Sequence, residues 1–178
     1  GATATVGHGL GKKPAMIWVK VLNATDDWNV WMGNKASNQI GLLNEASGFY
    51  TPGDATINDS TTTTDVIGLG SGSPANRSGA PIVAYCWAEI PGYSKFNTYI
   101  GNGSATDGRF VYTGFAPTLV VCKTTGNDSW MVYTDVISGP TAPSAGALSG
   151  IFNRHNRLLE FNNSGVTQSA GTNQGIDM

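Results

Sequence analysis

The sequence predicts an all-β fold made of two related antiparallel lobes, each a β-sandwich or jelly-roll-like unit. Three observations carry this expectation. Short runs of β-branched and aromatic residues alternate with turns built from Asn, Asp and Gly. Charged residues make up only 12% of the chain, while Gly, Thr, Ser and Asn take the polar positions, a profile suited to a β-rich surface protein. The third observation is an internal recurrence: KPAMIWVK (Lys13 to Lys20) is matched by APTLVVCK (Ala116 to Lys123), and DDWNVWM (Asp26 to Met32) by NDSWMVYT (Asn127 to Thr134).

In the first copy, Pro14 opens a strand at Ala15 to Leu22, where its missing N–H costs no ladder bond. The turn NATDD leads into a second strand, Trp28 to Met32, so the pair reads as a hairpin. A weaker element, IGLLN (Ile40 to Asn44), follows and is echoed later by LLEFN (Leu158 to Asn162). Two long loops, Thr51 to Asp65 and Gly70 to Gly79, precede the most apolar strand, Ile82 to Ile90. The second copy contributes strands at Phe110 to Phe115, Thr118 to Thr125 and Ser129 to Val136, with the turn GNDS between the last two. A third loop, Ser138 to Gly146, leads to Asn153 to Phe161, whose spacing fits either a helical turn or an edge strand.

These elements divide the chain into lobes at 1–97 and 98–178, the first lacking its opening strand and the second incomplete at its C-terminal end. Strand alternation predicts a core of Met16, Trp18, Val83, Tyr85, Trp87, Leu119, Val121 and Trp130, subject to a one-residue register error. The second copy has no counterpart of Ile82 to Ile90, which predicts an unpaired edge that another polypeptide satisfies. The expected assembly is a homo-oligomer, either a trimeric fibre or a head-to-tail filament.

Function classes narrow quickly. Net charge is −2 and the ten Lys and Arg are scattered, which offers no stripe for nucleic acid. No apolar run is long enough to span a bilayer, so membrane insertion is not expected. The two histidines, His8 and His155, have no Cys or carboxylate at ligand spacing, and neither a metal nor another cofactor is expected. GLGSGS (Gly68 to Ser73) lacks the Lys and the helical pattern of a phosphate loop and reads as a flexible connection. Asp26, Asp27, Asp128 and Asp135 fall mostly at turns, where Asp needs no catalytic explanation, so the chain does not read as an enzyme. Cys86 and Cys122 each lie inside an apolar run and read as two reduced core thiols.

Aromatics are the remaining chemistry. Alternation puts Trp28, Val30 and Met32 on one face of their strand and Trp31 on the other, and Trp130 and Tyr133 divide in the same way. One ring of each pair should face the core. Trp31 and Tyr133 are therefore the candidates for an outward contact, either stacking on a glycan or packing between lobes or subunits.

TVGHGLGKKPAMIWVK (Thr5 to Lys20), VAYCWAEIPGYSKFNTYIGNGSATDGRFVYTGFAPTLVVCK (Val83 to Lys123) and SWMVY (Ser129 to Tyr133) follow one another along a stretch from Thr5 to Tyr133 that spans the larger part of the chain. In these segments the sequence resembles a repeated domain of unknown function found near the C-terminal end of long virion proteins of tailed bacteriophages, many of them marine. The resemblance implies a tail-fibre or adhesin module on the outer surface of a virion, in contact with other virion proteins and with a host surface glycan or receptor. It implies no catalytic residue. The order of those motifs is specific, and the departures from it lie at the two ends.

Overall fold

A computed structural model describes residues 3–54, 56–104, 107–134, 158–160 and 166–167. Asp135, the loop Ser138 to Gly146 and His155 lie outside the described residues, as do Asn153 to Arg157. The described chain is essentially all-β and its sheets are antiparallel. In order its elements are β1 (Ala4–Gly7), β2 (Met16–Val21), β3 (Asn29–Met32), β4 (Ile40–Leu42), β5 (Val66–Leu69), α1 (Ser73–Asn76), β6 (Ile82–Trp87), β7 (Leu119–Cys122), β8 (Met131–Thr134), β9 (Leu158–Glu160) and β10 (Val166–Thr167). The first sheet runs β4-β3-β2-β6, the second β10-β9-β8-β7, and β1 pairs with β5 in a separate ribbon.

The two hairpins pair in matching registers. Met16, Ile17, Trp18 and Val19 face Met32, Trp31, Val30 and Asn29. Leu119, Val120, Val121 and Cys122 face Thr134, Tyr133, Val132 and Met131. The next strand keeps the correspondence: Val30 faces Gly41 as Val132 faces Leu159, and Asn29 faces Leu42 as Met131 faces Glu160. Each hairpin loop also closes over the Lys near the end of its first strand. Lys20 Nζ donates to the carbonyls of Val21 at 3.0 Å, Ala24 at 2.9 Å and Asp26 at 2.6 Å. Lys123 Nζ donates to those of Ala46 at 3.0 Å, Gly126 at 3.3 Å and Asp128. An ammonium group has three N–H donors, so one side chain can serve several carbonyls at once.

β2 is covered on both faces, which corrects the expected core. On one face Ile17, Val19, Trp31 and Ile40 pack with Ile57, Ile67, Leu69 and Ala75, drawn from the loop before β5, from β5 and from α1. On the other, Met16, Val30 and Leu43 pack with Trp130 of the second segment, and Trp18, Trp87 and Val121 lie partly buried beside them. Met16 and Trp130 thus fall in the core as expected, whereas Tyr85 is 49% exposed and Leu119 is 58% exposed. Alternation selects one face of a strand. A strand layered on both sides buries residues of both parities.

Two further expectations change. Phe110 to Phe115 forms no strand among the described residues, and Phe110 and Tyr112 are 69% and 75% exposed. In the first copy the segment at the matching place, before Pro14, begins with β1, which is a strand because β5 pairs with it. No described segment supplies such a partner to Phe110 to Phe115. The loop Gly70 to Gly79 is not uniformly extended either: it holds α1, whose Ala75 is fully buried and whose Asn76 Nδ2 donates to Gly70 O at 3.0 Å. The Thr-rich loop is anchored as well. Gly68 N donates to Thr62 Oγ1 at 3.0 Å, and that hydroxyl donates to Asn58 O at 2.8 Å. β5, which reads from the sequence as part of a soft region, forms against this anchored loop and β1.

Trp130 joins the second segment to the first. Its Nε1 donates to Leu42 O at 2.8 Å, and its ring meets Phe49 edge-on at 5.8 Å. Gly41 of β4 leaves the space for this contact. A Cβ there would come within 3.2 Å of both Trp130 and Phe49. Asn127 Oδ1 accepts from Gly48 N at 3.1 Å, and Lys123 reaches Ala46 O, so the second hairpin loop is fastened to the turn after β4.

Candidate functional site

The first sheet carries a row of partly exposed aromatic rings. β2 and β6 pair so that Trp18 faces Tyr85 and Met16 faces Trp87, which places Trp18, Tyr85 and Trp87 on one side of the sheet. Trp28, just before β3, projects onto the same side. Its ring stacks on Tyr85 at 6.1 Å and 27°, and Tyr85 stacks on Trp87 at 6.2 Å and 27°. Trp18 meets Trp87 edge-on at 4.8 Å. Trp130 and Phe49 occupy the β4 side of this face, and the aromatic row takes the β6 side.

Polar groups frame both ends of the row. Near Trp28, its backbone N–H donates to Asn44 Oδ1 at 2.9 Å, and Asn44 Nδ2 donates to Asp27 Oδ1 at 2.7 Å. Asn29 Nδ2 holds Asp27 O at 3.0 Å, so the loop fixes the approach of the Trp28 ring. Burial and the neighbouring Asp27 carboxylate push the Tyr50 hydroxyl above its ordinary pKa. Beyond Trp87, Glu89 pairs with Lys95 at 2.5 Å, and that hydrogen bond holds the Glu89 carboxyl below its usual range. A row of flat apolar faces with amides and carboxylates at its ends can stack on sugar rings and accept from hydroxyls.

The expected contact residues are placed differently. Trp31 is 2% exposed, between Ile17 and Ile40 and under Ile57, so the expected outward orientation is corrected. Its burial follows from the ribbon and α1 covering the face that the hairpin alone would leave open. Tyr133 is half-buried, and its hydroxyl donates to Met131 Sδ at 3.7 Å. Burial raises its pKa, with Cys122 and Tyr99 adding to the effect. Tyr99 and Cys122 share a hydrogen bond, and burial pushes the Cys122 thiol up to about 11. Trp31 and Tyr133 are therefore not brought together in one outward site.

The carboxylates are engaged locally. Asp26 pairs with Arg77 Nη2 at 2.9 Å through Oδ1 and 2.8 Å through Oδ2. Asp128 Oδ2 accepts from Thr124 Oγ1 at 2.6 Å. Sequence reasoning missed the row because it assigned Trp18, Tyr85 and Trp87 to a closed core. The legible signal was the pair of aromatics at i and i+2 in AYCW, with further Trp residues in both strands of the hairpin.

The sequence matches, over residues 1–148, the family described as "Domain of unknown function (DUF7483)". That match runs across the expected division between Asn97 and Thr98 and past β8. No curated protein and no solved structure matches the chain.

Proposed function

We propose that this chain, which belongs to the DUF7483 family, is a non-catalytic structural module of a virion surface fibre that attaches to saccharide-bearing host surfaces. The observation that carries the attachment half is the aromatic row Trp28, Tyr85, Trp87 and Trp18, with successive stacked rings about 6 Å apart. The virion half rests on the resemblance of its motifs to repeated domains of phage tail proteins. Its localisation is accordingly the outer surface of a particle, among other virion proteins.

Within this reading, 1–97 and 98–178 are two copies of one β-unit arranged in series. Support comes from the matching hairpin registers and from the two lysines closing equivalent turns. Serial β-units of low charge suit a fibre, in which each unit contacts its neighbours and presents a repeated surface. A carbohydrate-binding module outside any virion is the second reading, favoured by the same aromatic row.

A polysaccharide titration tests the attachment half. Tryptophan fluorescence should change on addition of host surface polysaccharide, and Tyr85→Ala should weaken binding by about tenfold, corresponding to about 1.4 kcal/mol. Unchanged affinity in Tyr85→Ala, with the fold retained by circular dichroism, would refute the row as the contact. Gold-labelled antibody found away from purified virions would refute the particle assignment while leaving the carbohydrate-binding reading in place.

A further inference from the structure

The geometry points to the outer edge of β7 as the acceptor for an antiparallel strand with the sequence pattern of β6, donated in trans by another polypeptide. The inference rests on the proposed reading of the two sheets as copies of one unit. In the first sheet β2 lies between β3 and β6; in the second, β7 has β8 on one side and no strand on the other among the described residues. Met16 to Val21 corresponds to Leu119 to Thr124, since both segments open after Pro-x and carry their Lys at the same place. The pairing of β6 on β2 therefore supplies a register for the occupant. Leu119 would face the place of Trp87, Val120 that of Cys86, Val121 that of Tyr85, Cys122 that of Ala84, and Lys123 that of Val83.

The chemistry of the edge fits such an occupant. LVVC carries no charge, Pro or Gly, the devices that protect natural sheet edges from pairing. Leu119 projects from its end largely exposed. The partner chemistry is equally defined: an extended run of six uncharged residues, as in IVAYCW, ending in an aromatic beside Leu119. The chain's own β6 is already committed to β2 through six residue pairs and cannot also serve β7. Tyr99, which shares a hydrogen bond with Cys122 of β7, is also exposed, so the occupant would find an aromatic ring alongside.

A synthetic peptide with the sequence Pro81 to Ile90 tests this on the full chain by amide hydrogen exchange. At saturating peptide, exchange should slow at least tenfold within Leu119 to Cys122, and a scrambled peptide should leave it unchanged. Leu119→Lys, at an exposed position, should weaken peptide binding at least tenfold without altering the circular dichroism spectrum. Tyr85→Ala should bind the peptide as the parent does, which separates failure of this inference from failure of the attachment reading. Three results would overturn it: no slowing at β7, equal slowing by the scrambled peptide, or full protection of β7 in the free chain. Protection that appears only with dimerisation on sedimentation would overturn it too, by naming a second copy's own edge as the occupant.

Discussion

Removing the Lys20 ammonium should be among the most damaging single changes outside the apolar core. Its three hydrogen bonds, at 3.0, 2.9 and 2.6 Å, are the clasp that holds the β2–β3 turn closed. A hydrogen bond with one charged partner contributes about 1.5–3 kcal/mol net. The side chain is only partly buried, so in Lys20→Met some of the released carbonyls regain water, and the expected cost is about 3 kcal/mol rather than the full sum. With a urea m-value of about 2 kcal/mol/M, the unfolding midpoint should fall by about 1.5 M. Lys20→Arg should recover only part of this, because a planar guanidinium does not converge on three carbonyls as an ammonium does. Lys12→Met, at an exposed lysine, is the control and should stay within about 0.5 kcal/mol of the parent. A Lys20→Met midpoint indistinguishable from that of Lys12→Met would refute the clasp.

Three further outcomes follow from the packing. Trp130→Ala should destabilise by about 3–5 kcal/mol in urea unfolding, while Trp130→Phe, which keeps the apolar bulk but leaves Leu42 O without its donor, should cost less. Gly68→Ala drives a Cβ into Thr61 Oγ1 and to 2.7 Å from Asn58 O, and should lower thermal stability by more than Gly53→Ala, where a Cβ meets nothing within 4 Å. Cys122, pushed up to about 11 by burial, should react with iodoacetamide at pH 8 about 100-fold more slowly than an unperturbed thiol, as read by mass spectrometry of the alkylated chain. Because its folded pKa lies above the unfolded one, its contribution to stability is intact below pH 9 and is lost as the pH rises towards 11.

Local chemistry made the hairpins legible. Pro before an apolar run, an Asn/Asp turn and a closing Lys are interactions within a few residues, and they locate β2–β3 and β7–β8. The weaker echo at Ile40 and Leu158 also marks β4 and β9. What the sequence concealed depends on which layer covers which face. Trp31 reads as outward until the β1–β5 ribbon and α1 are laid over it, and β5 itself lies in a region whose Gly and Thr content suggests an unstructured loop. Tyr85 reads as core because nothing in a single strand states how far the packing around Trp130 extends across that face. For Phe110 to Phe115 the strand-forming composition is real, but a strand also needs a neighbour.

The reach of Trp130 across 88 residues to Leu42 also sets a schedule for synthesis. Every strand of the first sheet has been synthesised by Trp87, yet the ring that closes its β4 side has not. At about 5–20 residues per second, Trp130 follows Trp87 by about 2–9 s. Through that interval Phe49 and the open backbone at Gly41 face solvent as a nascent apolar notch. Anything that covers the notch in those seconds must give way to the indole, which brings a hydrogen bond of its own.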